Sequence, residues 1–408
     1  MRVLQVCKKF PYPVKDGEGV AVRALALGLA EAGATVDLLS FNTSKHRVIN
    51  LDEVDLPHYN YIDSCDLDNE VKPIDAAVSL LRSDSYHVTR FRSDGFQRSL
   101  RHLLTARDYD AVVLETSILA MYIPTIRACS EAVIALRTHN IEHEIWARIA
   151  RKSPWYTRPF YAAFARRLRR FERKWINSPD VLLPITQRDS ERLVHDLGAA
   201  IPRHVVPVGY QSVDTNTQAH KPLHALPAAI SFIGSLDWAP NLEGLDYFLY
   251  DVWPLLRREF PELEFHIAGR KTPRRLISLD VPGVIVHGEV DDSAAFLQRY
   301  PLTVAPILSG SGTRVKILDA MVCGRVVLTT PMGLEGIAAL DRKEVLICRT
   351  PTAFIDQVRY VLDNPSELER IGNNARALIR EQFDFARIGF GLAACIRDAR
   401  SDLTTARS

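Results

Sequence analysis

Residues 302–324 constrain the fold more tightly than any other stretch. Leu302-Thr-Val-Ala-Pro-Ile-Leu308 is a short apolar run and reads as a strand. Ser309-Gly310-Ser311-Gly312 follows. Beyond Thr313, the apolar residues Val315, Leu318, Met321 and Val322 recur at helical spacing, with Gly324 where a helix C-cap is expected. The pattern predicts a strand joined by a Gly/Ser loop to the first turn of a helix. Such a loop lets backbone approach a ligand closely, because glycine carries no side chain. The helix N-terminus offers N–H groups and a partial positive charge, which suits an anion. Arg314 and Lys316 add two full charges in that turn. Cations there oppose the helix dipole, so their presence points to a phosphate held between them and the backbone amides. An ordinary turn with surface cations is the other reading. The spacing is not a P-loop, since Lys316 lies inside the helix, and it is not the three-glycine dinucleotide fingerprint.

The N-terminal segment shows the same logic. Residues 2–7 read as a buried strand, 8–19 as a loop, Val20 to Glu31 as a helix ending at Gly33, and Thr35 to Phe41 as the next strand. Strand, loop, helix, strand is a βαβ unit, so a parallel sheet is predicted, with its ligand edge at the carboxyl ends of the strands. The 8–19 loop, with Gly17 and Gly19, falls at that edge; a surface loop with turn glycines is the alternative. Residues 45–107 are polar and irregular, with helical tendency over 73–105. Asp110 to Glu115 and Ala132 to Leu136 read as further strands, the second running into the polar cluster Arg137-Thr-His-Asn-Ile-Glu-His-Glu144. His139 and His143 are not taken as a metal pair, because the run is not His-Glu-x-x-His.

A chain of 408 residues is long enough for two domains. Hydrophobic content of 47% and charged content of 25% fit a soluble globular protein, and a net charge of +2 provides no field for nucleic acid. Six cysteines scattered without Cys-x-x-Cys pairs argue for a reducing compartment and against zinc. The first residues read as a strand rather than a signal peptide, and no apolar run reaches the roughly 18 residues of a membrane span. Residues 209–228 read as a linker. A second α/β domain follows over 229–384, with strands at 229–234, 263–268, 284–287, 326–330 and 345–348.

Four motifs of this second half stand in a telling order: Phe232-Ile-Gly-Ser235, Ile267-Ala-Gly-Arg270, His287-Gly-Glu-Val290 and the loop Ser309-Gly-Ser-Gly312, followed by Asp319-Ala-Met-Val-Cys-Gly-Arg-Val-Val327. Together they resemble the retaining glycosyltransferases of family 4, in particular a subgroup with a Gly-x-Gly-x-Arg-x-Lys donor loop. The resemblance implies the GT-B fold: two Rossmann-like domains facing across a cleft. Residues 1–208, joined by the C-terminal helix 385–400, would bind the acceptor, and residues 229–384 the nucleotide-sugar donor. It implies donor contacts from Gly17, Gly19, Gly234, Gly312, Thr313, Arg314 and Lys316 around the diphosphate, Asp319 on the ribose, backbone near Gly288 and Val290 at the base, and Glu335 at the sugar. His139, Asn140 and Glu142 would serve the acceptor, and His139, Arg314 and Lys316 the chemistry. The chain departs from the family in three places. Ser311 and Asp319 replace a Glu pair, Asp237 and Asn241 stand where an Arg and a Lys are common, and no Asp-x-Asp metal motif is present. The expected enzyme therefore needs neither metal nor cofactor, and Arg314 and Lys316 replace the missing charge. A nucleotide-sugar 2-epimerase of the same fold and a non-catalytic sugar-nucleotide-binding subunit remain alternatives. Donor sugar, base, acceptor, linkage and oligomeric state stay open.

Residues 151–174 carry nine Lys or Arg and one acid, Glu172, with aromatic residues interleaved. Aromatics beside cations suit the lipid headgroup level, so this stretch is expected to lie on an anionic membrane. Solvated arginines over a core-facing Leu168, Phe171 and Trp175 are the alternative. A cytoplasmic enzyme peripheral to the inner face of the membrane, acting on a glycan or lipid-linked acceptor, is the resulting expectation.

Overall fold

The computed structural model describes residues 1–14, 17–44, 47–49, 56–69, 86–211, 222–309 and 313–407. They divide into two compact units, Met1–Gly209 with Phe385–Ser408, and Tyr210–Asp384.

In the first unit, β1 (Arg2–Cys7), β2 (Thr35–Thr43), β3 (Tyr61–Leu67), β4 (Ala111–Leu114), β5 (Val133–Thr138) and β6 (Val181–Pro184) form one sheet in the order β3-β2-β1-β4-β5-β6, every pairing parallel. The central strands are buried along nearly their whole length, as continuous apolar runs covered on both faces should be. The Phe385–Arg407 helix belongs to this unit and crosses the Gly17–Glu31 helix closely. A Cβ on Gly28 would collide with the Phe385 carbonyl, and one on Gly389 with the Gly28 carbonyl, so both positions require glycine.

Three expectations are corrected. The first helix begins at Gly17, not Val20, so Gly17 and Gly19 occupy a helical turn rather than a loop. β3 lies inside the stretch taken as irregular. Its sequence, Tyr-Ile-Asp-Ser-Cys-Asp-Leu, is too polar to read as a core strand because, among the described residues, it is the edge of the sheet and pairs only with β2. The helical run over 73–105 resolves into Tyr86–Thr89 and Asp94–Ala106, the latter capped by Ser93; residues 73–85 lie outside those described.

In the second unit, β7 (Ala229–Ile233), β8 (Glu264–Ala268), β9 (Val284–Gly288), β10 (Leu302–Ala305), β11 (Val326–Thr329) and β12 (Leu346–Ile347) form a parallel sheet ordered β12-β11-β10-β7-β8-β9. Both sheets run outward from their own first strand in both directions. This is the dinucleotide-fold order, which opens a ligand crevice where the chain reverses direction across the sheet. That point lies at β1/β4 in one unit and at β7/β10 in the other.

Candidate active site

At the carboxyl end of β7 and β10, four segments distant in sequence meet. The Val315–Val322 helix follows β10 and carries Lys316 in its first turn. Lys316 Nζ donates to Asn241 Oδ1 at 2.7 Å and lies 4.6 Å above the Phe232 ring. Asn241 Nδ2 donates to the Ser235 carbonyl at 2.8 Å. Gly234 leaves this space open, since a Cβ there would sit 2.9 Å from Lys316 Nζ. Burial and the neighbouring Arg314 bring Lys316 down to about 7, against a smaller opposing pull from Asp319. Arg270 Nε donates to Ser235 Oγ at 2.7 Å, and Lys271 Nζ to Asp237 Oδ2 at 2.9 Å. Cations absent from the loop after β7 thus return from the loop after β8. Arg270 and Lys271 were not singled out in the sequence, although the Gly269-Arg270 strand end was visible.

Arg314 Nη2 lies 3.9 Å from Glu335 Oε2, which brings together two residues taken separately as diphosphate and sugar contacts. Thr313 Oγ1 is buried without a hydrogen-bond partner among the described residues, a hydroxyl available to a ligand oxygen. Gly312 lies outside the described residues. Ser309 Oγ donates to Glu243 Oε2, which ties the start of the loop to the Ala239–Tyr247 helix. Asp319, the expected ribose contact, is held through one of its two oxygens. Tyr210 OH donates to its Oδ1 at 2.9 Å, and burial outweighs that bond and Lys316 to push the carboxyl up to about 6. Gly288, at φ 74°, already receives the Gly269 N–H at 2.7 Å on its carbonyl, and Val290 packs against a small cluster containing Phe296 and Tyr300.

The first unit assembles a second cluster at β1, β4 and β5. His139 Nε2 is 2.8 Å from Glu115 Oε2, and Glu115 also accepts from Gln5 Nε2 at 2.5 Å and from Arg137 Nη1 at 3.4 Å. Although burial opposes ionisation, Arg137 and His139 hold the Glu115 carboxyl below its ordinary range. Nε2 donating to a carboxylate leaves Nδ1 as the acceptor of a neutral His139 ring. Glu142 is buried, raised by that burial, with Lys8 at 3.9 Å and His87 at 3.9 Å. Its backbone N–H, like that of His143, goes to the Glu172 carboxylate, which caps the Glu142–Lys152 helix from a neighbouring helix. Asn140 is the most exposed of the three acceptor-side residues. Glu18, in the turn with Gly17 and Gly19, receives Lys8 at 3.1 Å and Lys9 at 3.5 Å. Glu115 and Glu172 were missed in the sequence, each looking like an ordinary member of a strand end or a basic helix.

The basic stretch is two helices, Glu142–Lys152 and Arg158–Trp175, joined by a turn. Phe164 and Leu168 are buried, so the apolar stripe expected at a membrane faces the core instead. Trp155, 84% exposed, and Tyr156, 68% exposed, project from the turn. Among the described residues no helix is long and apolar enough to cross a membrane.

Residues 227–364 match the family described as Glycosyl transferases group 1. A Klebsiella pneumoniae protein, described as an uncharacterized 44.6 kDa protein in the cps region, is 22% identical over 404 residues, covering 95% of this chain and 97% of its own length. Sucrose-phosphate synthase from Thermosynechococcus elongatus superposes with a TM-score of 0.70 at 16% identity, covering 98% of this chain and 100% of its own. HepE from Anabaena, solved with UDP and glucose, gives 0.63 at 13% identity over 97% and 99%. A TarM variant from S. aureus, solved with fondaparinux, α-GlcNAc-glycerol and UDP, gives 0.67 at 11% over 97% and 100%. The fold is therefore GT-B, and its second unit carries a glycosyl transferases group 1 domain. Fold and domain are those of a glycosyltransferase.

Proposed function

We propose that the chain transfers a sugar from a nucleotide diphosphate donor to an acceptor hydroxyl with retention of configuration, without metal or cofactor, in the assembly of a cell-surface polysaccharide or glycolipid. The observation that carries this reading is the convergence of Arg314, Lys316, Arg270 and Lys271 on the crevice end of the β7/β10 sheet. Charge on a departing diphosphate would be met there by cations and a helix N-terminus. Arg314 and Lys316 hold the diphosphate with Thr313 and the Gly312 backbone, and Glu335, beside Arg314, meets the sugar. Asp319 keeps Oδ2 for the ribose, and Tyr210 sets its orientation. Gly17 and Gly19, in the first turn of a helix, let the backbone approach the donor closely because neither carries a side chain. His139, oriented by Glu115, accepts the proton of the acceptor hydroxyl through Nδ1, with Asn140 and Glu142 beside it. The cps-region relative and the UDP complexes of the structural relatives support a sugar nucleotide and a surface glycan.

We further propose that the enzyme works at the inner face of the cell membrane, with Trp155 and Tyr156 at the headgroup level and the exposed arginines of the Arg158–Trp175 helix on anionic lipid. A thermal-shift panel of UDP-, GDP- and ADP-sugars, followed by product analysis with the best donor, tests the reaction. Transfer with retained anomeric configuration is expected. An epimerised sugar in the absence of acceptor, or donor binding without turnover, would replace this reading with a different one.

A further inference from the structure

The Glu142 carboxylate is buried but caps nothing. Glu142 opens the Glu142–Lys152 helix, where an acid ordinarily meets free backbone N–H groups. Here those groups are taken. The N–H of Glu142 donates to Glu172 Oε1 at 2.9 Å, and that of His143 to Glu172 Oε2 at 3.2 Å. The Glu142 side chain is only 10% exposed, and among the described residues no hydrogen bond reaches its oxygens. Two donors stand off from it at equal range: Lys8 Nζ is 3.9 Å from Oε1, and His87 Nε2 is 3.9 Å from Oε2. Both distances are too long for a hydrogen bond. A ligand oxygen set off the line between them can lie about 2.8 Å from donor and acceptor at once. A carboxylate this buried costs stability unless its oxygens are met.

His87 is held so as to present a hydrogen there. Arg90 Nη2 donates to His87 Nδ1 at 3.2 Å, so Nδ1 carries the lone pair and Nε2, on the side of Glu142, the hydrogen. Burial, Arg90 and Lys8 bring His87 down to about 3, so the ring stays neutral and keeps that tautomer. Three rings set T-shaped against it fix its orientation: Phe91 at 6.5 Å, Trp146 at 5.7 Å and Phe164 at 6.2 Å between centroids. Lys8 is itself anchored by Glu18 at 3.1 Å. Glu142 stands three residues after His139, at the carboxyl edge of the first sheet.

We propose that Glu142, His87 and Lys8 hold two neighbouring hydroxyls of the acceptor, one in each gap, and that Arg90 is the positioning residue that fixes the His87 tautomer. One hydroxyl accepts from His87 Nε2 and donates to Glu142 Oε2. The other accepts from Lys8 Nζ and donates to Oε1. The two oxygens of one carboxylate match two vicinal hydroxyls of a pyranose ring. The proposal rests on the first unit being the acceptor half of a transferase. It adds which groups select the acceptor: a vicinal diol is read beside the hydroxyl that His139 serves.

The test is titration of the full chain, isotope-labelled at its histidine nitrogens, with the methyl pyranosides of glucose, galactose, mannose and rhamnose. The free chain should show His87 protonated at Nε2 and not at Nδ1. At least one pyranoside should shift the Nε2 resonance saturably. Its analogues lacking either of two adjacent hydroxyls should bind about tenfold more weakly or worse. Saturation transfer to the sugar measures binding in the variants. His87→Phe keeps the ring packing without the donor and should weaken binding roughly tenfold. His87→Gln, which keeps an N–H, should lose less. Arg90→Gln should mix the tautomers and weaken binding, and Arg90→Lys, which still donates to Nδ1, should restore both in part. UDP affinity should stay unchanged in every variant. Hydrogen on Nδ1 in the free chain would overturn the proposal. So would pyranosides that leave His87 unmoved, which would assign both gaps to water, or equal losses from His87→Phe and His87→Gln, which would mark a packing role. The tautomer is read in the unaltered chain, so it decides even where a variant fails to fold. A chain whose His87 reports a pyranoside yet transfers no sugar would refute the transferase reading. One that transfers sugar with the same acceptor KM in His87→Phe would refute only this proposal.

Discussion

Lys316 shows how a single side chain can be tuned by where the backbone places it. Its ammonium is largely buried, bonded to Asn241 and set over Phe232, and burial with Arg314 brings it down to about 7. A lysine so poised is mostly neutral just above neutral pH, and a diphosphate arriving beside it would favour the charged form. Binding of UDP in that range should therefore take up close to one proton. Donor affinity should fall as pH rises through the neutral region. Calorimetry in two buffers of different ionisation enthalpy reads the uptake directly. Lys316→Met should abolish it, and an uptake of zero in the unaltered protein would separate Lys316 from the phosphate. Glu115 gives the opposite sign. Its folded carboxyl is held below the ordinary range, so its contribution to stability is present above that range and is lost as pH falls through it. Glu115→Gln strands the buried Arg137 and should cost about 3–5 kcal/mol in denaturant unfolding at neutral pH. The same variant should show a shallower loss of stability in acid. His139→Ala should lower turnover while leaving donor binding nearly unchanged, and a parallel loss of both would make His139 a structural group.

At the level of elements, the Arg158–Trp175 helix separates two ideas that its sequence merges. Nine cations and interleaved aromatics suggested one amphipathic surface, but Phe164 and Leu168 are committed to the core. What remains for a membrane is an exposed turn with Trp155 and Tyr156 and an outward row of arginines. Co-sedimentation with vesicles should therefore require anionic lipid, and it should drop strongly in a Trp155→Ala, Tyr156→Ala double variant whose melting is unchanged. Sedimentation that ignores lipid charge, or that survives both substitutions, would remove the membrane from this account. The helix also marks the limit of what the sequence could reveal. Cations at the start of the Val315–Val322 helix were legible because helical spacing alone sets them beside a glycine loop. The Lys316–Asn241 bond spans 75 residues and depends on β7 and β10 lying side by side, which no local pattern encodes. β3 was missed for a related reason: an edge strand needs apolar residues on few positions, so its polar sequence resembles a loop.

Across the whole molecule, two units that share no obvious sequence similarity adopt one strand order, and in each the charged clusters gather where that order reverses. The buried strands carried enough apolar signal to make both sheets readable, and their ligand edges followed from parallel topology. The partners of the candidate site groups, Glu115 for His139, Tyr210 for Asp319 and Asn241 for Lys316, come from segments distant in sequence, so only the folded chain shows them. If charge on the leaving diphosphate is met by these cations, sugar transfer should persist unchanged in excess EDTA, whereas a strict demand for added Mg2+ would contradict that assignment.

The most direct test of the central claim is the affinity of the full chain for its best nucleotide diphosphate, compared with Arg314→Ala and Lys316→Ala. A charge-assisted phosphate contact is worth about 1.5–3 kcal/mol, so each substitution should raise the dissociation constant roughly tenfold or more, with the fold intact by circular dichroism. Both variants binding as tightly as the unaltered chain would contradict the assignment of this crevice to a nucleotide sugar.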